Sequence, residues 1–367
     1  MKVGIPKEIK NNEYRVGMIP SGVRQIVSDG NEVFVEINAG AAIGFSDQDY
    51  INAGATILPS LEAVFEASEM IVKVKEPLPR ELAVLKPNHL LYTYLHLAAD
   101  AKLTKALMKT GATCIAYETI ELKDGSLPLL TPMSEVAGRM STIVGAYHLM
   151  KHMGGLGMML GGVPGVPRAK VTVLGCGVAG RNAIKMAVGL GGDVTAIDIS
   201  HSRLTEIDDL FDNKITTLHS NPTNIEDAVT HSDLVIGAVL VAGAKAPHLV
   251  TIDMIRKMKK GSVIVDIAVD QGGCIETTHP TTHENPTFEV DGVLHYCVAN
   301  MPGAFARTST YALTNSTMKY ARILANNGVK AVMDDEALLK GVNIHKGGLV
   351  YERVANDLSI PYTPFAL

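Results

Sequence analysis

AKVTVLGCGVAG, residues 169–180, decides how the rest of the chain is read. An apolar strand, Lys170–Leu174, runs into Gly175-Cys176-Gly177-Val178-Ala179-Gly180, a G-x-G-x-x-G, and the helix-competent run RNAIKMAVGLG leads out. The flanking strand and helix give the glycines their meaning. Gly175 permits the tight turn, Gly177 lets a pyrophosphate approach the backbone, and Gly180 lets the helix close on the strand. Val178 and Ala179 open the helix, whose positive N-terminal end favours phosphate. The next strand, DVTAIDIS, ends at Asp198, 23 positions after Gly175. A carboxylate there accepts hydrogen bonds from an adenosine ribose and repels a 2′-phosphate, so NAD is expected over NADP. Arg203, five residues on, could meet either adenosine or phosphate. Without a ligand, the same stretch is a strand-turn-helix with a solvent-facing acid.

Downstream, SDLVIGAVL and SVIVDIAVD suit later strands of the same sheet. Their carboxyl ends, Val239–Leu240 and Ile267–Asp270, should line the cofactor crevice. Upstream, GGLGMMLGGVPGVP (154–167) is too rich in glycine and proline for a regular helix and reads as a connecting loop. The helical stretch before it, 134–152, carries the chain into this second domain. Strand signals also alternate with helical stretches in the first part: MKVGIP, EVFVEIN, EMIVKVKEP, HLLYTYLHLA and TCIAYETI. Helices at 21–29 and 100–110 each end near a glycine suited to a C-cap, Gly30 and Gly111.

From Ala304 the pattern turns helical again. About 60 residues are too few for a third α/β domain, so they are expected to return and complete the first. The expected fold is α/β: two doubly wound Rossmann-like domains with a cleft between them. Residues 1–133 and 304–367 form a discontinuous substrate domain, and 134–303 form the NAD-binding domain.

The chain has 367 residues, 47% hydrophobic and 19% charged, with a formal net charge of −5. That mildly acidic balance, without any Lys/Arg-rich run, argues against a nucleic-acid partner. The opening residues carry no apolar core of signal-peptide length. No apolar stretch approaches the roughly 20 residues of a spanning helix, so no membrane partner is expected. Cys114, Cys176, Cys274 and Cys297 are scattered without C-x-x-C pairing. They fit buried thiols in a reducing cytoplasm better than a zinc site or disulfide framework, and no metal is expected.

Dinucleotide binding does not fix the reaction. In the first domain, Lys75 ends the strand IVKVK, His96 ends LLYTYLH, and Arg15 lies in the loop after the first strand. A small anionic keto or amino acid needs a guanidinium for its carboxylate, a proton donor near its carbonyl and a cation to polarise it. Each residue also has a structural reading: a solvated strand end for Lys75, a structural histidine for His96, a solvated loop cation for Arg15. Asp270, after an apolar strand of the second domain, would face a nicotinamide or cap a helix.

Several blocks carry a stronger signal. VGIPKEIKNNEYRVGMIPSGV, VKVKEPLPREL, LLYTYLHLA, TPMSEVAGRMS, GGVPGVPRAKVTVLGCGVAG, VIVDIAVDQGG and VANMPGAFARTSTYALTN resemble the alanine dehydrogenase and nicotinamide nucleotide transhydrogenase family nearly end to end. The resemblance implies reversible NAD-dependent oxidative deamination of L-alanine to pyruvate and ammonium, by a homohexamer. An NAD(H)-binding transhydrogenase component is the alternative it leaves open. It implies that Arg15 and Lys75 contact substrate, and that His96 and Asp270 are the catalytic groups. It further implies that Ser134 contacts the pyrophosphate, that Ser220 lies near adenine, and that Val298, Asn300 and Met301 line the nicotinamide pocket.

Overall fold

The computed structural model describes residues 1–239, 247–269 and 272–367. The chain divides into two compact units, Met1–Met133 with Gly303–Leu367, and Ser134–Pro302. Each is a doubly wound α/β sandwich, the class the sequence leads one to expect.

The strands are β1 (Lys2–Ile5), β2 (Glu32–Glu36), β3 (Thr56–Leu58), β4 (Met70–Val72), β5 (Leu90–Thr93), β6 (Thr113–Ala116), β7 (Lys170–Leu174), β8 (Asp193–Asp198), β9 (Thr216–His219), β10 (Leu234–Gly237), β11 (Val263–Asp266), β12 (Thr287–Val290), β13 (Val293–Tyr296), β14 (Val342–His345) and β15 (Gly348–Leu349). In the first unit the sheet order is β3-β2-β1-β4-β5-β6-β14-β15, and β1 to β6 are all parallel. The chain leaves for the second unit after β6 and returns to add β14 antiparallel to it. The returning segment therefore completes the first sheet, and the first unit is discontinuous as expected.

The second unit repeats the plan as β9-β8-β7-β10-β11-β13-β12, parallel except for the terminal β12–β13 pair. In both sheets the strand order reverses beside the first strand, between β1 and β4 and between β7 and β10. At such a switch point neighbouring connections leave to opposite faces, and a crevice opens at the carboxyl ends.

Period-two alternation explains why both faces are covered. Val171 and Val173 of β7 join one core cluster, while Leu174 joins another with Val235 and Ile264. In the first unit Met70 and Val72 face one cluster and Ile71 the other. A strand buried on both faces needs apolar residues at every position, and each such side chain contributes about 1.5–3 kcal/mol.

The helices follow local signals closely. Asp100 caps Ala101–Thr110, its carboxylate accepting from Lys102 N and Leu103 N at 2.9 Å, and Gly111 closes the helix at φ +73°. The connecting helix spans Thr131–His148, earlier at both ends than the sequence suggests, and a 3-10 turn follows at Lys151–Met153. Among the described residues no helix is long and apolar enough to cross a membrane. Cys114, Cys176, Cys274 and Cys297 are all buried and unpaired.

Candidate active site

In the first unit the polar candidates lie beyond the carboxyl ends of three adjacent strands. β4 ends at Val72 and β5 at Thr93, so Lys75 and His96 each stand three residues past a strand rather than on its last residue. Sequence reading ran both strands too long because apolar character continues past the point where regular pairing stops.

Arg15, in the segment after β1, is 2% exposed. Its Nε and Nη2 donate to the two carboxylate oxygens of Glu13 at 2.7 and 2.6 Å, and Nη1 lies 3.1 Å from Met133 Sδ. Burial works against its charge, but Glu13 outweighs it and holds the guanidinium above its ordinary pKa. This fork-to-fork pairing fixes the plane of the group. Lys75 is also buried, and burial first, with the charges of Arg15 and Lys10 adding to it, pushes its ammonium below the ordinary lysine value. Such a lysine gives up a proton more readily than an exposed one.

His96 sits in the left-handed region, φ +52°, with its side chain 43% exposed. Its ring stacks on Tyr94 (5.8 Å between centroids), and Nδ1 lies 3.5 Å from Glu76 Oε2. Its backbone N–H donates to Glu118 Oε1 at 2.6 Å, and the same carboxylate accepts from Leu95 N. A non-glycine residue held at positive φ by a carboxylate acceptor is a position the surroundings impose. Although Glu76 is largely buried, His96, Lys75 and Lys10 hold its carboxyl well below the usual range. Lys75, Glu76 and His96 thus form one electrostatic group, with Arg15 coupled to Lys75.

Behind it lies a buried charge network that sequence reading missed. Lys73 Nζ meets Glu8 Oε2 at 3.0 Å and also pairs with Glu81 Oε1; none of the three side chains is more than 2% exposed. Glu8 Oε1 accepts from Val74 N at 2.7 Å and Lys75 N at 3.4 Å. Glu81 Oε2 accepts from Leu78 N at 2.8 Å. Burial opposes the Lys73 charge, but Glu8 and Glu81 prevail and raise its pKa. The only hint in the sequence is that Lys73 shares a strand face with Lys75 in IVKVK.

In the second unit the glycine turn has the geometry its motif requires. Gly175 is at φ +93°, and a Cβ there would meet Ala238 O at 2.9 Å. A Cβ on Gly180 would sit 1.7 Å from Gly175 O, so helix and strand approach as only glycine allows. Gly177, the N-cap of the helix Val178–Gly189 opened by Val178 and Ala179, has open space where a Cβ would point. A phosphate could occupy that space against the helix N-terminus, so the turn fits a dinucleotide.

Asp198 ends β8 and is 5% exposed, not solvent-facing. Its Oδ2 accepts from Cys176 N at 2.6 Å and its Oδ1 from Ser200 N at 2.8 Å; Arg203 Nη1 is 3.8 Å away. Ser220 N donates to Asp198 O, which places Ser220 beside it. Val239 lies against Gly175, and Ile267 N donates to Gly237 O, so both border the same strand ends. Val298 and Met301 are buried, and Asn300, at φ +66°, accepts from His283 Nε2 at 3.2 Å. Ser134 is half-buried, one helical turn before Gly138, where a Cβ would lie 2.1 Å from Ala179 O. The block carrying Ser134 thus packs onto the glycine turn. Leu240 and Asp270 lie outside the described residues.

Asp266, at the end of β11, was not foreseen. Its Oδ1 accepts from Ala268 N, and its Oδ2 from Cys274 N (3.1 Å) and the Thr278 hydroxyl (2.8 Å). Burial raises its pKa to about 6 against those hydrogen bonds.

Two doubly wound sheets, one with a glycine turn and strand-end acid, define the class: an α/β protein built to hold a nucleotide cofactor. Family models narrow this. Residues 4–137 match "Alanine dehydrogenase/PNT, N-terminal domain" and residues 141–352 match "Alanine dehydrogenase/PNT, C-terminal domain". The chain belongs to the alanine dehydrogenase/PNT family. It is 55% identical to the alanine dehydrogenase of Methanococcus maripaludis over 366 residues, covering 99% of this chain and 98% of that protein. A solved L-alanine dehydrogenase superposes with a TM-score of 0.95 at 53% identity, over 98% of this chain and 99% of that one. A transhydrogenase from Sinorhizobium meliloti is more distant, with a TM-score of 0.84 and 27% identity, over 95% and 100% of the two chains.

Proposed function

We propose that this protein is an NAD-dependent L-alanine dehydrogenase catalysing L-alanine + NAD⁺ + H₂O ⇌ pyruvate + NH₄⁺ + NADH + H⁺. The observation that carries the reading is the grouping of Arg15, Lys75 and His96 beyond adjacent strand ends, in a chain whose full length aligns with alanine dehydrogenases. A transhydrogenase component has no need of a guanidinium, an ammonium and an imidazole for a keto acid. The lower likeness to the solved transhydrogenase points the same way.

When bound at the glycine turn, NAD⁺ supplies the hydride acceptor. Gly175, Gly177 and Gly180 admit its pyrophosphate, with Ser134, Val178 and Ala179 beside it, and Asp198 accepts from the adenosine ribose. Arg203 and Ser220 flank the adenosine, while Val239, Leu240, Ile267, Val298, Asn300 and Met301 line the rest of the site. Arg15 pairs with the substrate carboxylate, its plane fixed by Glu13. Lys75 donates to the substrate carbonyl oxygen, and its depressed pKa lets it share that proton. Loss of the Cα hydride leaves an iminium. Asp270 assists the attack of water on it, and His96, oriented by Tyr94 and Glu76, moves the proton as the carbinolamine collapses to pyruvate.

The test is the purified protein with NAD⁺ and a panel of L-amino acids at alkaline pH, followed by NADH absorbance, and the reverse assay with pyruvate, ammonium and NADH. Turnover largely confined to alanine and pyruvate is expected. Binding of NADH with no turnover of any amino acid overturns the reading. We place the enzyme in the cytoplasm as a homo-oligomer, a hexamer by family likeness; light scattering checks its assembly.

A further inference from the structure

The buried Glu8–Lys73–Glu81 network stands directly behind Lys75, and the reaction scheme gives it no part. Its place in the sheet explains what it does. Among the described residues β1 and β4 pair through Val3–Met70 and Gly4–Ile71 and no further. On the other side, β4's partnership with β5 persists: Lys73 N donates to Tyr92 O at 3.1 Å and Tyr94 N to Val74 O at 3.3 Å. The N–H groups of Val74 and Lys75 receive no such partner from β1. Both turn to one acceptor, the Glu8 carboxylate, at 2.7 and 3.4 Å. A buried amide without an acceptor costs about 1–3 kcal/mol, so the strand extension that carries Lys75 depends on this side chain. The remaining backbone groups of the extension are also held, Lys73 O by the Tyr117 hydroxyl at 2.9 Å and Lys75 O by the Thr93 hydroxyl at 3.0 Å.

We infer that Glu8 is a positioning residue for Lys75: its carboxylate replaces the missing β1 carbonyls at the sheet's switch point and so sets where the Lys75 ammonium meets substrate. Lys73 and Glu81 aim that carboxylate. The ammonium draws Glu8 Oε2 to one side, which leaves Oε1 facing the two amides. Glu81 holds the ammonium from the other side and is tied to Leu78 N, so the aim is braced by the turn that follows Lys75. The inference rests on Lys75 being a substrate contact of the dehydrogenase reading, and goes beyond it by giving a residue with no substrate contact a role in turnover.

Two variants separate reach from charge. Glu8→Gln keeps the length of the side chain but has one oxygen, for which the Lys73 ammonium competes with the amides; in Glu8→Gln/Lys73→Met that oxygen is free to accept from Val74 and Lys75, and the charge is gone. Glu8→Asp keeps the charge and withdraws the acceptor by about one C–C bond, ~1.5 Å. A misplacement of about that size costs a reacting group on the order of a hundredfold in rate. Glu8→Gln/Lys73→Met should therefore keep kcat for pyruvate amination within about tenfold of wild type, and Glu8→Asp should lose on the order of a hundredfold. NADH affinity, read by fluorescence on the same samples, should stay within about twofold in both. The inference is overturned if Glu8→Asp retains more activity than Glu8→Gln/Lys73→Met, if both match wild type, or if both lose activity equally. A variant whose first unit is already unfolded without denaturant, read by urea unfolding, has lost its fold, and the other then decides by keeping or breaking its own predicted rate. Wild-type turnover is measured first: its absence refutes the dehydrogenase reading, whereas its presence with the wrong order of variants refutes the role of Glu8 alone.

Discussion

Asp198 grips Cys176: the carboxylate that ends β8 accepts the backbone N–H of the glycine turn leaving β7, at 2.6 Å. The acid therefore holds the turn, and in the proposed cofactor site it is also the ribose contact. Replacing Asp198 by Ala should weaken NADH by tenfold or more and relax discrimination against NADPH. Replacement by Asn, which keeps one acceptor for Cys176, should spare more of the affinity while still relaxing the discrimination. Fluorescence titration with both cofactors checks this, and an unchanged preference removes Asp198 from the cofactor reading.

His96 touches Tyr94 and Glu76 but contributes nothing to either core cluster of its unit. His96→Ala should lower turnover by about 10²–10⁴, the range of a lost general acid–base, and leave NADH binding and melting temperature close to wild type. Turnover within threefold of wild type would sink the assignment.

Lys73 lies between two carboxylates out of contact with water. Lys73→Met leaves Glu8 and Glu81 buried without their counter-charge. Removing one partner of a buried ion network costs about 3–5 kcal/mol. Urea unfolding should show a loss of that order; a change below about 1 kcal/mol contradicts the buried network.

Asp266 predicts a pH dependence with a definite sign. The folded protein holds its proton up to about pH 6, while the unfolded chain releases it near 3.8. Between those values folding takes up a proton, so this group's stabilisation is fully present at low pH and is lost as pH rises through about 6. The full span is on the order of 2–3 kcal/mol. Asp266→Asn should flatten that part of the melting-temperature profile between pH 4 and 7, whatever it does to the absolute value. A profile parallel to wild type refutes the shifted carboxyl.

The features legible in the sequence were those settled by neighbours in the chain. Gly175 is required by its own φ and Gly180 by the carbonyl of Gly175 five residues before it, so spacing and flanking periodicity sufficed. The return of the last segment followed from counting residues. The strand ends were less legible, because apolar character does not stop where pairing stops, and Lys75 and His96 came out three residues beyond their strands. The buried network was not legible at all: Glu8 and Lys73 are 65 positions apart, and a lysine in IVKVK looks the same whether its partner is water or a carboxylate. Glu13, which fixes Arg15, and Glu76 and Glu118, which hold His96, were passed over for the same reason.

The late return of β14 to β6 has a consequence for biosynthesis. A ribosome makes Ser134–Pro302 as one uninterrupted piece, so the second unit can fold while the chain is still growing. The first unit, begun earlier, cannot: β6 keeps an unpaired edge, and Cys114 and Ala116 await Ile344 and Leu349. Arrested nascent chains ending near residue 340, long enough to bring Pro302 clear of the ribosome but too short for β14, should yield a protease-resistant second unit and a digestible first one. The unit that carries Arg15, Lys75 and His96 thus completes its sheet only once β14 is made, after the whole of the unit that lies between its two parts in the chain.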